Sequence, residues 1–187
     1  VFGKDITNSY SSPSVAENNP TTILVKVSHV AARLDFSQFD VTLNDFEGNP
    51  TVVFDEAKFV NLQQNGKIVE GDASVNVKDG AFLNRSNRIG TKWTDMGTAY
   101  GYANQYKQDS EMNTALYVKF TVDGRTFEKT YPINPAGITK EVDHNGIKGG
   151  YLYDIKVRWT ITPDWGDSTI EFYTRDWVHN SIPEIVL

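Results

Sequence analysis

From Tyr151 to Ile161 an apolar side chain stands at every second position: Tyr151, Tyr153, Ile155, Val157, Trp159 and Ile161. Asp154, Lys156, Arg158 and Thr160 fill places between them. Successive side chains of a β-strand point to opposite faces. The run therefore dictates a long strand with one face in a core and the other in water. A helix would spread the same residues around its circumference and bury none of them well. Leu116, Val118, Phe120 and Val122 carry the same signature, followed by Asp123-Gly124 and then Phe127, Lys129 and Tyr131. Both turn residues tolerate positive φ, so this is the clearest hairpin in the chain.

The rest of the chain extends the pattern. In Thr22–Phe36, Ile23, Val25 and Val27 are apolar on one parity, and Val30, Ala32, Leu34 and Phe36 on the other. The buried face must switch near Ser28-His29, through a bulge or a change of sheet. Phe39, Val41 and Leu43 mark a further half-buried strand, and Glu47-Gly48-Asn49-Pro50 turns the chain. Thr51–Phe54, Ala57–Leu62, Ile68-Val69 and Ala73–Val77 read as short strands, with Asn65-Gly66 as a hairpin turn between them. Ile170, Phe172 and the run Trp177–Leu187 complete the β content. Short strands, frequent turns and no long amphipathic helix indicate an all-β, antiparallel sandwich. Residues 1–21 read as an N-terminal tail, or as the remnant of a preceding domain. Residues 22–187 read as one β-sandwich domain.

Phe82 to Asn113 breaks the pattern and reads as one long irregular loop, a type that is often functional. It carries Trp93, Tyr100, Tyr102 and Tyr106. Exposed rings on a sandwich can stack on sugars, so these four are candidate ligand-facing residues. The plainer reading is a lid packed over the sheet.

Composition narrows the function classes. At 187 residues the chain is about one domain and needs no staples to hold a core. It has no cysteine, which excludes disulfides, thiolate metal sites and a cysteine nucleophile. A net charge of −6 and a pI near 5.0 argue against a nucleic-acid partner. No apolar run reaches the ~18–20 residues of a membrane span. No signal peptide is visible at Val1-Phe2-Gly3-Lys4.

Chemistry-bearing motifs are sparse. His29, His144 and His179 show no metal-ligand spacing, and His29 suits a structural role at the face switch. Asp143-His144 reads as a solvated turn. Ser9, Ser11, Ser12 and Ser14 lack a nucleophile-elbow context. Gly146–Gly150 precedes a strand rather than a helix, unlike a phosphate-binding loop. Asp40–Asp45 does not match a calcium loop. Glu141 and Asp143 form the sort of carboxylate pair that any acidic β protein offers. The sequon Asn84-Arg85-Ser86 matters only in a glycosylating secretory route. The expectation is a non-enzyme with no catalytic residue, metal or cofactor.

Several segments, in order, resemble the fimbrillins of Bacteroidales-type surface fimbriae, the type V pilus subunits. Thr22–Phe36, TILVKVSHVAARLDF, is similar to the family's segment of two apolar strands around R/H-x-A-A-K/R. Phe127–Asn134, FEKTYPIN, resembles its tyrosine-and-proline strand. Asn145–Thr162, NGIKGGYLYDIKVRWTIT, is similar to the N-x-x-Y-x-I-x-V strand that follows. The tail FYTRDWVHNSIPEIVL resembles the V-x-P-W ending, with Arg175-Asp176 before Trp177 where the family often has proline. The family's N-terminal domain and its leader cysteine have no counterpart in this sequence. The expectation is therefore a C-terminal domain or processed fragment.

The resemblance implies a transthyretin-like, Greek-key sandwich. It implies a structural or adhesive subunit of a cell-surface fimbria, exported through the outer membrane of a Gram-negative bacterium. Its partners would be other fimbrial subunits, with host proteins or glycans as further candidates. Assembly would proceed by strand exchange, in which unpaired sheet edges recruit a donated strand. The donor candidate is the chain end, with Trp177, Val178, Ile182, Ile185, Val186 and Leu187 as apolar anchors. The same segment also reads as the last strand of its own sandwich. The alternative function is a carbohydrate-binding module of a secreted or surface protein.

Overall fold

The structure is a computed structural model that describes residues 2–3, 27–28, 30–66, 77–80, 88–104, 112–133 and 146–176. Among these, the strands in chain order are β1 (Phe2–Gly3), β2 (Val27–Ser28), β3 (Ala31–Leu43), β4 (Val52–Val60), β5 (Leu62–Gln63) and β6 (Val77–Lys78). They continue as β7 (Arg88–Ile89), β8 (Lys92–Tyr102), β9 (Ala115–Val122), β10 (Arg125–Pro132), β11 (Tyr151–Ile161) and β12 (Gly166–Asp176). The described residues contain no helix. One sheet has the order β10-β9-β4-β7, and the other β12-β11-β3-β8. The two pack face to face as an all-β sandwich. Small ribbons pair β1 with β2 and β5 with β6.

The alternation of β11 is realised from Tyr153 to Ile161, while Leu152, on the outward parity, is also buried. Tyr153, Ile155, Val157, Trp159 and Ile161 are buried, and the charged partners point outward. Asp123-Gly124 forms the tight turn of the β9–β10 hairpin, with φ of 45° and 81°. Positive φ at both positions matches the right-handed twist of the flanking strands.

Three sequence expectations are corrected. The sandwich is not purely antiparallel, because β3 and β11 pair in parallel from Leu152↔Arg33 to Ile161↔Leu43. The chain between them visits the other sheet twice, returning to β8 in between, so this parallel pair needs no helical crossover. Second, the irregular loop is interrupted by β8, an edge strand paired with β3. Its period-2 pattern is broken by Asp95 (φ 52°) and Gly97 (φ 144°), so Trp93 and Met96 both face inward despite opposite parity. Third, Asn65-Gly66 is not a two-residue turn. β5 pairs with Val77–Lys78, so the connection runs from Gln64 to Asn76.

Two further strands were each split by the sequence reading. Phe36 and Phe39 both lie in β3, where a register shift between Phe36 and Gln38 reverses the parity of burial. β4 does the same between Phe54 and Glu56, so Phe54 and Ala57 are both buried. These are bulges, each inserting one residue that moves the following side chains to the other face.

Rings fill the space between the sheets. Phe39 lies 5.0 Å from Phe54, 5.3 Å from Phe120 and 5.3 Å from Trp93, centroid to centroid. Phe120 in turn meets Trp159 edge-on at 5.0 Å and stacks on Phe127 at 5.3 Å. The edges of the sandwich are bridged as well. On one side Val41 N–H donates to the Thr91 carbonyl (2.8 Å) and Gly90 N–H to that of Val52 (3.1 Å). On the other, Lys129 Nζ donates to Ser168 Oγ, and Arg125 Nη1 to the Pro163 carbonyl, both at 2.9 Å.

One pole of the sandwich is tied by a buried polar knot. Asn104 Nδ2 donates to the Asn61 carbonyl (3.1 Å), the Met112 carbonyl (3.0 Å) and Thr114 Oγ1 (3.0 Å). Its backbone exchanges two hydrogen bonds with Ile147. One residue thus joins the ends of β4 and β8, through its side chain, to the start of β9 and, through its backbone, to the start of β11. Ala31 and Asp176 lie at this same pole, since Gly150 bonds to Ala31 and Tyr151 pairs with Asp176.

Phe120→Ala is expected to cost about 3–5 kcal/mol in urea unfolding, because its cavity would open between both sheets. Asn104→Ala removes three side-chain hydrogen bonds at once and is expected to cost about 1–3 kcal/mol by the same measurement. Burial pushes the Tyr131 phenol up to about 12, and burial also raises that of Tyr153. An ordinary tyrosine titrates near about 10. Stability held by the neutral phenols is complete below that value and is lost as pH rises through the folded-state one. Urea midpoints are expected to fall between pH 10 and about 12, and Tyr131→Phe should flatten that fall.

Candidate ligand and assembly surfaces

The bulges that serve the core also shape the outer face of the β12-β11-β3-β8 sheet. β3 skips Ser37 and β8 skips Asp95 and Met96 between the pairs Phe36↔Gly97 and Gln38↔Thr94. Met96 turns inward, while Asp95 remains exposed. Ser37 Oγ donates to the Ile155 carbonyl at 3.3 Å. The result is a groove of about 570 Å³, lined by Arg33, Asp35, Ser37, Asp95, Thr98, Asp154, Lys156 and Tyr173 among others.

Strand register lines these residues up. Tyr173 pairs with Asp154, Asp154 with Asp35, and Asp35 with Thr98, so one row crosses all four strands. A row across three strand spacings is about 14 Å long. Asp35 Oδ1 accepts hydrogen bonds from Arg33 Nε (2.9 Å) and Thr98 Oγ1 (2.7 Å). The Asp35 bond also raises the pKa of the Arg33 guanidinium. Asp154 Oδ1 is buried and has no hydrogen-bond partner among the described residues. Lys156 Nζ lies 4.8 Å from the centroid of the Tyr173 ring, whose hydroxyl donates to Glu171 Oε2 (3.1 Å). Tyr173 is nevertheless 53% exposed. Beside the groove, Arg158 bonds to Glu171 at 2.9 Å and lies 3.8 Å from Asp40.

The groove presents hydrogen-bonding groups and one exposed ring. The one hydroxyl in the bulge, Ser37, is directed at a backbone carbonyl rather than at a base. Among the described residues no three His, Asp or Glu side chains gather as a metal site.

The aromatic residues singled out in the sequence do not form one surface. Trp93 is 5% exposed and belongs to the core, so it is not ligand-facing. The bulge after it fixes that inward direction. Tyr100 is 57% exposed and pairs with Arg33, just beyond the groove. Tyr102 is half-buried, with Gly66 packed so closely that a Cβ there would overlap its ring. Tyr106 lies outside the described residues, as do the three histidines, Glu141, Asp143 and the sequon. Trp177, Val178, Ile182, Ile185, Val186 and Leu187 also lie outside them, directly after β12. That strand is an edge, paired only with β11 among the described residues.

The groove residues were missed by sequence reasoning. Asp154 and Lys156 were legible as outward-facing, and Tyr173 follows from the hairpin register. Their alignment with Asp35 and Thr98 depends on pairings between segments far apart in the chain.

No protein-family model and no curated protein matches the chain. Solved structures do. A candidate cell adhesion protein from Parabacteroides distasonis superposes with a TM-score of 0.64 at 20% identity, over 82% of this chain and 53% of that one. A C-terminally truncated tip fimbrial protein from Porphyromonas gingivalis gives a TM-score of 0.45 at 14% identity, over 82% and 53%. A candidate cell adhesion protein from Bacteroides eggerthii gives 0.45 at 17%, over 82% and 57%. The chain thus spans about half the length of the structures it matches. Its fold is the β-sandwich found in the candidate cell adhesion protein from Parabacteroides distasonis.

Proposed function

We propose that this chain is a structural or adhesive subunit of a cell-surface fimbria, exported through the outer membrane and assembled by β-strand exchange with other subunits. The observation that carries the reading is the fold shared with the Parabacteroides cell adhesion protein over 82% of the chain. The sequence resemblance to fimbrillins runs over the same sandwich and supports it. In this reading the chain works by binding and by assembly.

The placement of β12 fits a donor role. Among the described residues it is an edge strand, and its end, Asp176, lies at the pole tied by Asn104, directly before Trp177–Leu187 in the sequence. Under this reading the segment is donated in extended form to another sheet. Its backbone would then complete the acceptor's ladder, and alternate apolar side chains would fill pockets. Pro183 lacks an N–H and would sit where the ladder needs no donor.

Deleting Trp177–Leu187 from the full-length subunit is expected to leave a folded sandwich by circular dichroism and to block incorporation into polymers. Polymer ladders of normal abundance from the truncated subunit would sink the donor role.

A further inference from the structure

We propose that the groove across β12, β11, β3 and β8 is a binding site for a neutral saccharide. The site differs from the aromatic set read from the sequence, and it does not depend on strand exchange.

The fold bears a cost at this place. Asp35 and Asp154 stand directly opposite one another on paired strands, and adjacent like charges destabilise a sheet. Asp35 is compensated by Arg33 and Thr98. Asp154 is not, for its Oδ1 is buried without a donor among the described residues. A buried oxygen left unpaired carries a desolvation penalty, a local cost that the sheet bears beneath the groove. Local rules broken without a gain in packing point to a functional surface.

The chemistry of the lining selects the ligand class. Asp95, Asp154 and Asp35 offer carboxylate acceptors, which make short, strong bonds with hydroxyl groups. Lys156 and Arg33 offer donors from the same groove. An anionic ligand would meet three carboxylates, and a cationic one would meet Arg33 and Lys156. A ligand dense in hydroxyls, each both donor and acceptor, satisfies both sets without a charge penalty. Tyr173 ends the row with an exposed aromatic ring, held by Glu171 and Lys156, on which the C–H face of a sugar can stack. The volume of about 570 Å³ falls in the range of small-molecule sites. At about 14 Å the row is wider than one pyranose ring, so an oligosaccharide fits better than a monosaccharide.

The test probes the full chain on an array of neutral oligosaccharides built from galactose, glucose, mannose, fucose and N-acetylglucosamine. Hits are then titrated calorimetrically. Binding to a neutral oligosaccharide is expected. Tyr173→Ala should weaken it by about tenfold or more, the value of a lost stacking contact. Tyr173→Phe should retain it, and Asp154→Asn, which keeps the shape, should weaken it. Tyr117→Ala on the opposite sheet should leave it unchanged. A flat neutral array, binding confined to sialylated or sulfated glycans, or full affinity in Tyr173→Ala and Asp154→Asn would overturn the proposal. Unfolding midpoints of each variant separate lost binding from lost fold. Polymer ladders of the same variants report separately on the fimbrial reading.

Discussion

The contact on which the structure depends is the insertion of Phe39 between Phe54 and Phe120, across the gap between the sheets. Phe39 reaches that position only because β3 is bulged at Ser37. In a regular strand Phe36 and Phe39 would point to opposite faces. One of them would then lie in water, together with the half-strand that shares its parity. The bulge lets Ala32, Leu34 and Phe36 face inward on one side of it and Phe39 and Val41 on the other. β4 solves the same problem at Asp55, so the two strands that hold the centre of the core change parity in matching fashion. The aromatic cluster requires the bulge in β3 to bring Phe39 inward together with Phe36.

That dependence reaches the outer surface. A bulge leaves residues without a cross-strand partner, and here the irregularities of β3 and β8 coincide. The groove at Ser37, Asp95 and Gly97 is the outward side of the device that seats Phe39 inward. The surface feature thus inherits its rigidity from the core. A pre-formed site on paired strands loses little freedom on binding, which is an advantage over a site on a loop.

The sequence carried some of this plainly and some not at all. β11 was legible throughout, because a regular strand with one dry face writes its burial directly into alternation. Asp123-Gly124 was legible because a two-residue turn has a local requirement for positive φ. β8 was not, since Asp95 and Gly97 break the period, and Trp93 among polar residues looks like surface until its partners Phe39 and Phe54 are known. The parity change from Phe36 to Phe39 was visible but equally compatible with two strands. The parallel pairing of β3 with β11 leaves no local mark. The groove lay further out of reach, because Tyr173, Asp154, Asp35 and Thr98 become neighbours only through three separate registers.

The same registers separate two roles in space. β3 begins, and β8 and β12 end, at the pole knotted by Asn104, while the tight turns at Asp123-Gly124 and Gly90-Thr91 mark the other. Under the proposed assembly, a donated strand leaves from the first pole. The groove lies instead on a broad face, midway along the strands. A partner that engages the chain end need not touch that face, so occupancy of one surface does not obstruct the other. Subunits joined pole to pole would also repeat the groove along a polymer. A weak site for a saccharide would then act many times over, since linked sites raise avidity without any new contact. Shallow polar grooves bind sugars weakly one at a time, and a fimbria is a means of presenting many of them at once.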